Sequence, residues 1–455
     1  MNVPSKYKNI HTKILNNGLR IIYEKSTNTI PITSIYVFCD VGSGLETEET
    51  RGFSHFVEHM CFKGTQKNPQ YESIFTKFDN VGAYLNASTD KRCTIYKVKC
   101  SNQHLSSIFR ILSDMLYNSI FDKKECEKEI KVVHEENFRD LENNYNLLYE
   151  KLETKLYENT PFQYEVDSVK YHRPLDFDKV YRFYKTFYKP QNMVLSIVSN
   201  VSVDSIYKML EHTDFNKSQY SPECSHVLNE IKHSLFIPPE IKNESKPTYM
   251  IHPIKNTQEI YLGISFRVCS QYSEDIHKLH LLKRLLGDFF SSRMTVLLRE
   301  ENGLTYESSV NTEFYENAGD FTITALTEKS KFIKNGKKKG VLPLIISMLN
   351  DLIKNGITQK ELTLTKNYTE GAIELNMEKT NISCNHNGLH MLLYPNMKTF
   401  VPYHHLFDVR YQNITKKEIN EVIRKYFTKS NMFVCVLGEN LPSDRIIQTE
   451  CERLI

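Results

Sequence analysis

The sequence has no tryptophan, no C-x-x-C pair and no marked excess of either charge, and most of these lacks remove a class of protein. Among 455 residues, 58 basic side chains stand against 55 acidic ones, a net charge of +3. A nucleic-acid-binding chain would ordinarily carry a strong basic excess. The ten cysteines are scattered from Cys39 to Cys451 without paired spacing. That argues against a disulfide framework and suits buried, reduced thiols in an intracellular protein. No apolar run reaches the roughly 18 residues of a membrane span, and residues 1–10 hold no apolar signal-peptide core. The expected location is therefore intracellular, the cytoplasm first and the mitochondrial matrix as the alternative. Glycine and proline are sparse, 16 and 15, as in a globular composition. The missing tryptophan accompanies many Asn, Lys, Ile and Tyr, a coding bias that carries no chemistry.

What is present centres on the stretch from Arg51 to Thr65. It contains His55, Glu58 and His59 in the order H-x-x-E-H. On a helix, residues three and four apart share a face. Two imidazoles so placed can grip one zinc ion, and the carboxylate between them lies beside a metal-bound water. That is the equipment of a zinc hydrolase, with the glutamate nearer the second histidine than in H-E-x-x-H.

A chain of this length predicts two or three domains. Thr12 to Glu24 reads as a hairpin around Asn16-Asn17-Gly18, and Thr33 to Asp40 as a central strand. The motif helix follows, closed by Gly64, then a helix over 69–81, a strand or hairpin over 84–99, and helices over 103–117 and 123–149. Glu125, Glu127, Glu129, Glu135 and Glu136 crowd that last segment. A carboxylate there is the natural third zinc ligand, but the chemistry of the residues does not choose among them. Proline and mixed charge over 221–247 predict a linker. Beyond it the pattern restarts: Ile260-Tyr261-Leu262-Gly263 echoes the strand at Ile35, and Asn431-Met432-Phe433-Val434 echoes Asn192-Met193-Val194-Leu195. The offsets are 225 residues (35 to 260) and 239 (192 to 431), close enough for one duplicated domain. The expected division is a zinc-binding domain over 1–221, a linker over 222–247, and a homologous domain over 248–455. In the second copy His280-Leu281-Leu282-Lys283-Arg284 takes the motif's place, and Lys and Arg do not hold zinc.

On these blocks the chain resembles the pitrilysin/insulinase-type, inverted-zincin metallopeptidases, in the two-domain form of the mitochondrial processing peptidase β subunit. Gly52 to Thr65 matches the family's active-site block, and Val132-Val133-His134-Glu135-Glu136 matches the block that ends in the third ligand. The resemblance implies an α+β fold of two homologous domains, each a mostly antiparallel sheet with helices on one side. It assigns one zinc per chain to His55, His59 and Glu136, the general base to Glu58, and an accessory carboxylate to Glu129. Asn86 and Ala87 fall on the family's substrate-binding edge strand, and Phe62 beside the first primed side chain. Arg299 and Tyr306 match a pair that reaches the substrate from the second domain. The implied activity is zinc-dependent endopeptidase cleavage of extended or unfolded peptides. The alternatives are a non-catalytic partner subunit and a peptide-binding chaperone. The family closes a chamber from four such domains, so a homodimer, or a heterodimer with a related subunit, is expected.

Overall fold

Apolar strands, buried on both faces at their centres, build two large sheets. The computed structural model describes residues 3–164, 166, 175–217, 246–394 and 396–455. They fall into two units: Met1–Phe138, Tyr164–Leu235 and Ile373–Leu406 form the first, and Arg139–Gln163, Phe236–Ala372 and Phe407–Ile455 the second.

The first sheet holds β1 (Ile10–Ile14), β2 (Arg20–Lys25), β3 (Ile32–Cys39), β4 (Tyr84–Thr89), β5 (Thr94–Ser101) and β6 (Met193–Ser199). Its order is β1-β2-β6-β3-β5-β4, and β2–β6 is its one parallel pair. β6 is buried throughout and β3 from Thr33 onward, so both faces are covered. Successive strand side chains take opposite faces. Cys39 meets the Phe187 carbonyl at the end of a helix on one face. Tyr36 and Phe38 pack on the other face against Cys384, Met391 and Leu392 of the helix Thr380–Leu393. That helix lies very close: a Cβ on Gly388 would stand 1.9 Å from Phe38 Cε2. Ser196 Oγ donates to the Cys384 carbonyl at 2.7 Å, and Asn387 Nδ2 to Glu24 Oε2 at 2.7 Å.

Helices α1 (Phe53–Met60), α2 (Tyr71–Asp79), α3 (Leu105–Tyr117) and α4 (Lys123–Glu142) precede α5 (Asn144–Leu156) and α6 (Phe177–Phe187). The pattern over 123–149 suggests one continuous helix. The chain instead breaks at Asn143, whose side-chain oxygen accepts from the Tyr145 N–H at 2.9 Å and caps α5.

The second sheet comprises β7 (Thr248–Pro253), β8 (Glu259–Val268), β9 (Glu307–Phe314) and β10 (Gly319–Glu328). After a two-residue ladder, β11 (Lys334–Asn335) with β12 (Lys338–Lys339), it is completed by β13 (Met432–Gly438). The order β7-β13-β8-β10-β9 repeats β2-β6-β3-β5-β4, and β7–β13 is again the one parallel pair. One face of this sheet is covered by α5: Leu148, Leu152 and Leu156 pack with Cys435 and Leu437. Gly263 lets it in, since a Cβ there would stand 2.5 Å from Leu152 Cδ1.

Each sheet thus has its second face covered by one helix from the other half of the sequence. The compact units therefore depart from the expected 1–221 and 248–455 at two segments, 139–163 and 373–406. The expected linker lies outside the described residues apart from positions 246 and 247.

Candidate metal centre

The site is built in the first unit, where α1 meets α4 and β4. The start of α1 is held from outside the helix. Glu46, 1% exposed, accepts from the Gly52 N–H at 2.9 Å and the Ser54 N–H at 2.7 Å. These are amides that a helix N-terminus leaves without partners. Burial pushes the Glu46 carboxyl up to about 7, and the bonds from Ser54 and Gly52 pull the other way. Phe53, Phe56, Val57 and Met60 bury one side of α1, which turns His55, Glu58 and His59 toward α4 and β4.

His55 Nε2 and His59 Nε2 stand 3.1 Å apart, with their rings nearly perpendicular at 87°. Glu136 Oε2 lies 3.4 Å from His59 Nε2. The three residues offer ligand atoms all within 4.8 Å of one another, the one such group among the described residues. A tetrahedral zinc with ligands about 2.0–2.1 Å away keeps neighbouring ligand atoms roughly 3.3 Å apart. The observed spacings fit that edge, and three protein ligands leave one position for water.

Glu129, two turns before Glu136, supports the arrangement. Its Oε1 is 2.8 Å from His59 Nδ1, and its Oε2 is 2.5 Å from Lys63 Nζ. Burial pushes the Glu129 carboxyl up, but His59 and Lys63 outweigh it and hold the group below the usual carboxylate range. Glu58 is buried, and Thr89 Oγ1 at the end of β4 donates to its Oε2 at 2.6 Å. β4 is an edge strand, paired to β5 alone. Asn86 Oδ1 accepts from the Ala87 N–H at 2.7 Å, and Asn86 Nδ2 donates to the Tyr84 hydroxyl. Phe62 stacks on Phe75 (centroids 5.8 Å apart) and tilts against Tyr96.

Arg299 and Tyr306 belong to the second unit. Tyr306 is 93% exposed, and Arg299 Nε lies 3.5 Å from Glu300 Oε1. Both line a cavity of about 340 Å³ with Phe289, Phe290 and Tyr368. In the second-half counterpart of the motif Leu281 and Leu282 are core; burial pushes His280 down to about 3, and its Nδ1 lies 3.2 Å from the Tyr411 hydroxyl. Lys283 pairs with Asp288 at 2.7 Å. The partners of two residues that touch the site's side chains, Lys63 and Thr89, are not legible in the sequence, because Glu129 and Glu58 lie far from them along the chain.

Known proteins resemble this chain along most of its length. Residues 20–167 match the family described as Insulinase (Peptidase family M16), and residues 174–368 the Peptidase M16 inactive domain. The chain is 29% identical over 429 residues to the "Uncharacterized zinc protease YmxG" of Bacillus subtilis, covering 94% of this chain and 98% of that protein. It is 24% identical to the mitochondrial-processing peptidase subunit beta of Caenorhabditis elegans, over 93% of this chain and 89% of that one. Over 48% of this chain it is 27% identical to cytochrome b-c1 complex subunit 1 of Rattus norvegicus, covering 47% of that protein. The solved structure of a protease from Helicobacter pylori superposes with a TM-score of 0.83 at 18% identity, over 96% of this chain and 100% of that one. That likeness establishes the fold.

Proposed function

Because the chain belongs to the insulinase family of peptidases, family M16, we propose that it is a zinc metalloendopeptidase acting on extended peptides or unfolded protein segments. The observation that carries this reading is the convergence of His55, His59 and Glu136 within 4.8 Å, with the Glu58 carboxylate one residue before His59. The names of relatives, zinc proteases among them, support the same reading.

His55, His59 and Glu136 would hold one zinc per chain, with Glu129 behind His59. When bound, zinc lowers the pKa of its water toward about 7 and polarises the scissile carbonyl. The Glu58 carboxylate takes the proton of the attacking water and returns it to the leaving amine nitrogen. Thr89 keeps one oxygen of that carboxylate fixed. The substrate lies extended along β4 and pairs with its free edge near Asn86 and Ala87, displacing the Asn86 side chain from the Ala87 amide. Phe62 flanks the first primed side chain. Arg299 and Tyr306 keep the substrate-contacting role that the resemblance gives them, and in this proposal Tyr306 stabilises the oxyanion. A dimer, with itself or a related subunit, and an intracellular location complete the proposal. No helix among the described residues is long and apolar enough to cross a membrane.

The test is cleavage of a peptide library by wild-type and Glu58→Gln protein. The variant is expected to retain zinc and lose turnover by at least about 100-fold, the scale of a general acid–base contribution. Full turnover by the variant would remove Glu58 from the reaction. A wild-type protein that binds zinc and cuts nothing would favour the partner-subunit reading, which the similarity to a cytochrome b-c1 subunit keeps in view.

A further inference from the structure

We propose that Lys63 is a positioning residue of the metal centre: its ammonium fixes Glu129, and Glu129 in turn holds the His59 ring with Nε2 turned toward the ion. The inference rests on the zinc-peptidase reading above.

The contacts form one line. Lys63 Nζ lies 2.5 Å from Glu129 Oε2, and Glu129 Oε1 lies 2.8 Å from His59 Nδ1. His59 Nε2, on the far side of the ring, lies 3.4 Å from Glu136 Oε2 and 3.1 Å from His55 Nε2. An imidazole that donates its Nδ1–H to a carboxylate presents Nε2 as the metal-binding lone pair, and such outer partners fix both tautomer and ring orientation. The carboxylate needs its own anchor, because rotation about its last bond would swing Oε1 away from the ring. Lys63 supplies that anchor at the second oxygen.

Lys63 is itself held in place. It follows α1 in a tight turn, its N–H donating to the Met60 carbonyl at 3.1 Å. Phe62 before it is packed against Phe75 and Tyr96. Thr65 after it donates to Asp114 Oδ2 at 2.6 Å and accepts from the Asn68 N–H at 3.0 Å. These contacts fix the turn Phe62-Lys63-Gly64-Thr65 from which Lys63 reaches Glu129 on α4.

Burial separates this pair from an ordinary surface ion pair. Lys128 and Glu125 on the same α4 sit 2.6 Å apart, but the lysine side chain is 68% exposed, and such exposed pairs add little. At Lys63 and Glu129 the side chains are 21% and 8% exposed, so neither charge has much water to fall back on.

The experiment titrates metal-free protein with Zn²⁺ against a competing chelator and records the visible spectrum with Co²⁺ in its place. The proteins are wild type, Lys63→Met, Lys63→Gln, Lys63→Arg, Glu129→Gln and the Lys63→Met/Glu129→Gln double variant. Loss of Lys63 is expected to weaken zinc binding about 10–100-fold, the usual cost of losing an outer partner, and to change the Co²⁺ spectrum. Lys63→Arg is expected to recover most of the loss. The double variant is expected to bind no more weakly than Glu129→Gln alone, because Lys63 acts through Glu129. Unchanged zinc affinity in Lys63→Met and Lys63→Gln, or fully additive losses in the double variant, would overturn the inference while leaving the peptidase reading intact. Wild-type protein that takes up no zinc would overturn both.

Discussion

At the residue scale the base must be both ionised and held still, and a donor from outside its helix reaches Glu58. Thr89 Oγ1 reaches Glu58 Oε2 across 31 positions of sequence at 2.6 Å. Hydrogen bonds to charged groups contribute about 1.5–3 kcal/mol. Thr89→Val, which keeps the shape and removes the hydroxyl, is therefore expected to lower kcat at least about 10-fold while leaving zinc affinity unchanged. Steady-state peptide cleavage beside a chelator titration checks it, and an unaltered kcat would mean that Glu58 is oriented by other contacts. How much of the site can be read from the sequence follows from distance along the chain. His55, Glu58 and His59 are legible because one helical turn brings them together. Glu136 is not separable by its chemistry from Glu125, Glu127, Glu129 and Glu135, since its meeting with α1 is made by the fold. The partners of Lys63 and Thr89 are hidden in the sequence for the same reason.

At the scale of elements, the strands were the legible part. β3 and β8 announce themselves as β-branched, apolar runs, and the N-terminal hairpin by its Asn-Asn-Gly turn. The helices that cover the second faces were not legible. Leu148, Leu152 and Leu156 four residues apart mark α5 as having a buried side, yet nothing in that spacing says which sheet receives it. The break at Asn143 that frees α5 rests on one capping bond. Packing makes the helix Thr380–Leu393 the most testable of these elements. A Cβ at position 388 would meet the Phe38 ring at 1.9 Å, far inside contact distance, so ring or helix must move. Overpacking of this kind costs about 1–3 kcal/mol. Gly388→Ala is expected to lower the midpoint of urea unfolding accordingly, and wild-type stability in that variant would mean that the helix is not seated on Phe38.

At the scale of the whole molecule, the duplication was legible from two offsets, 225 and 239 residues, and the matching strand orders bear it out. The division into units was not, because each draws one segment from the other half of the chain. A chain cut at an engineered protease site within 222–245 is therefore expected to stay together under native conditions. With the proposed dimer it would run with the intact protein at the mass of two 53.4 kDa chains. Separation of the fragments on size exclusion would contradict the exchange, and a single-chain mass that still cleaves peptides would contradict the dimer. The exchange also bears on origin. A single-copy ancestor with this sheet would have left one face bare, with no second copy in its own chain to cover it. Such a molecule closes its core by trading the helix with an identical neighbour, as in a domain-swapped dimer. Each half of the present chain lends the other its covering helix in the same way, so a half expressed alone would leave one sheet face bare.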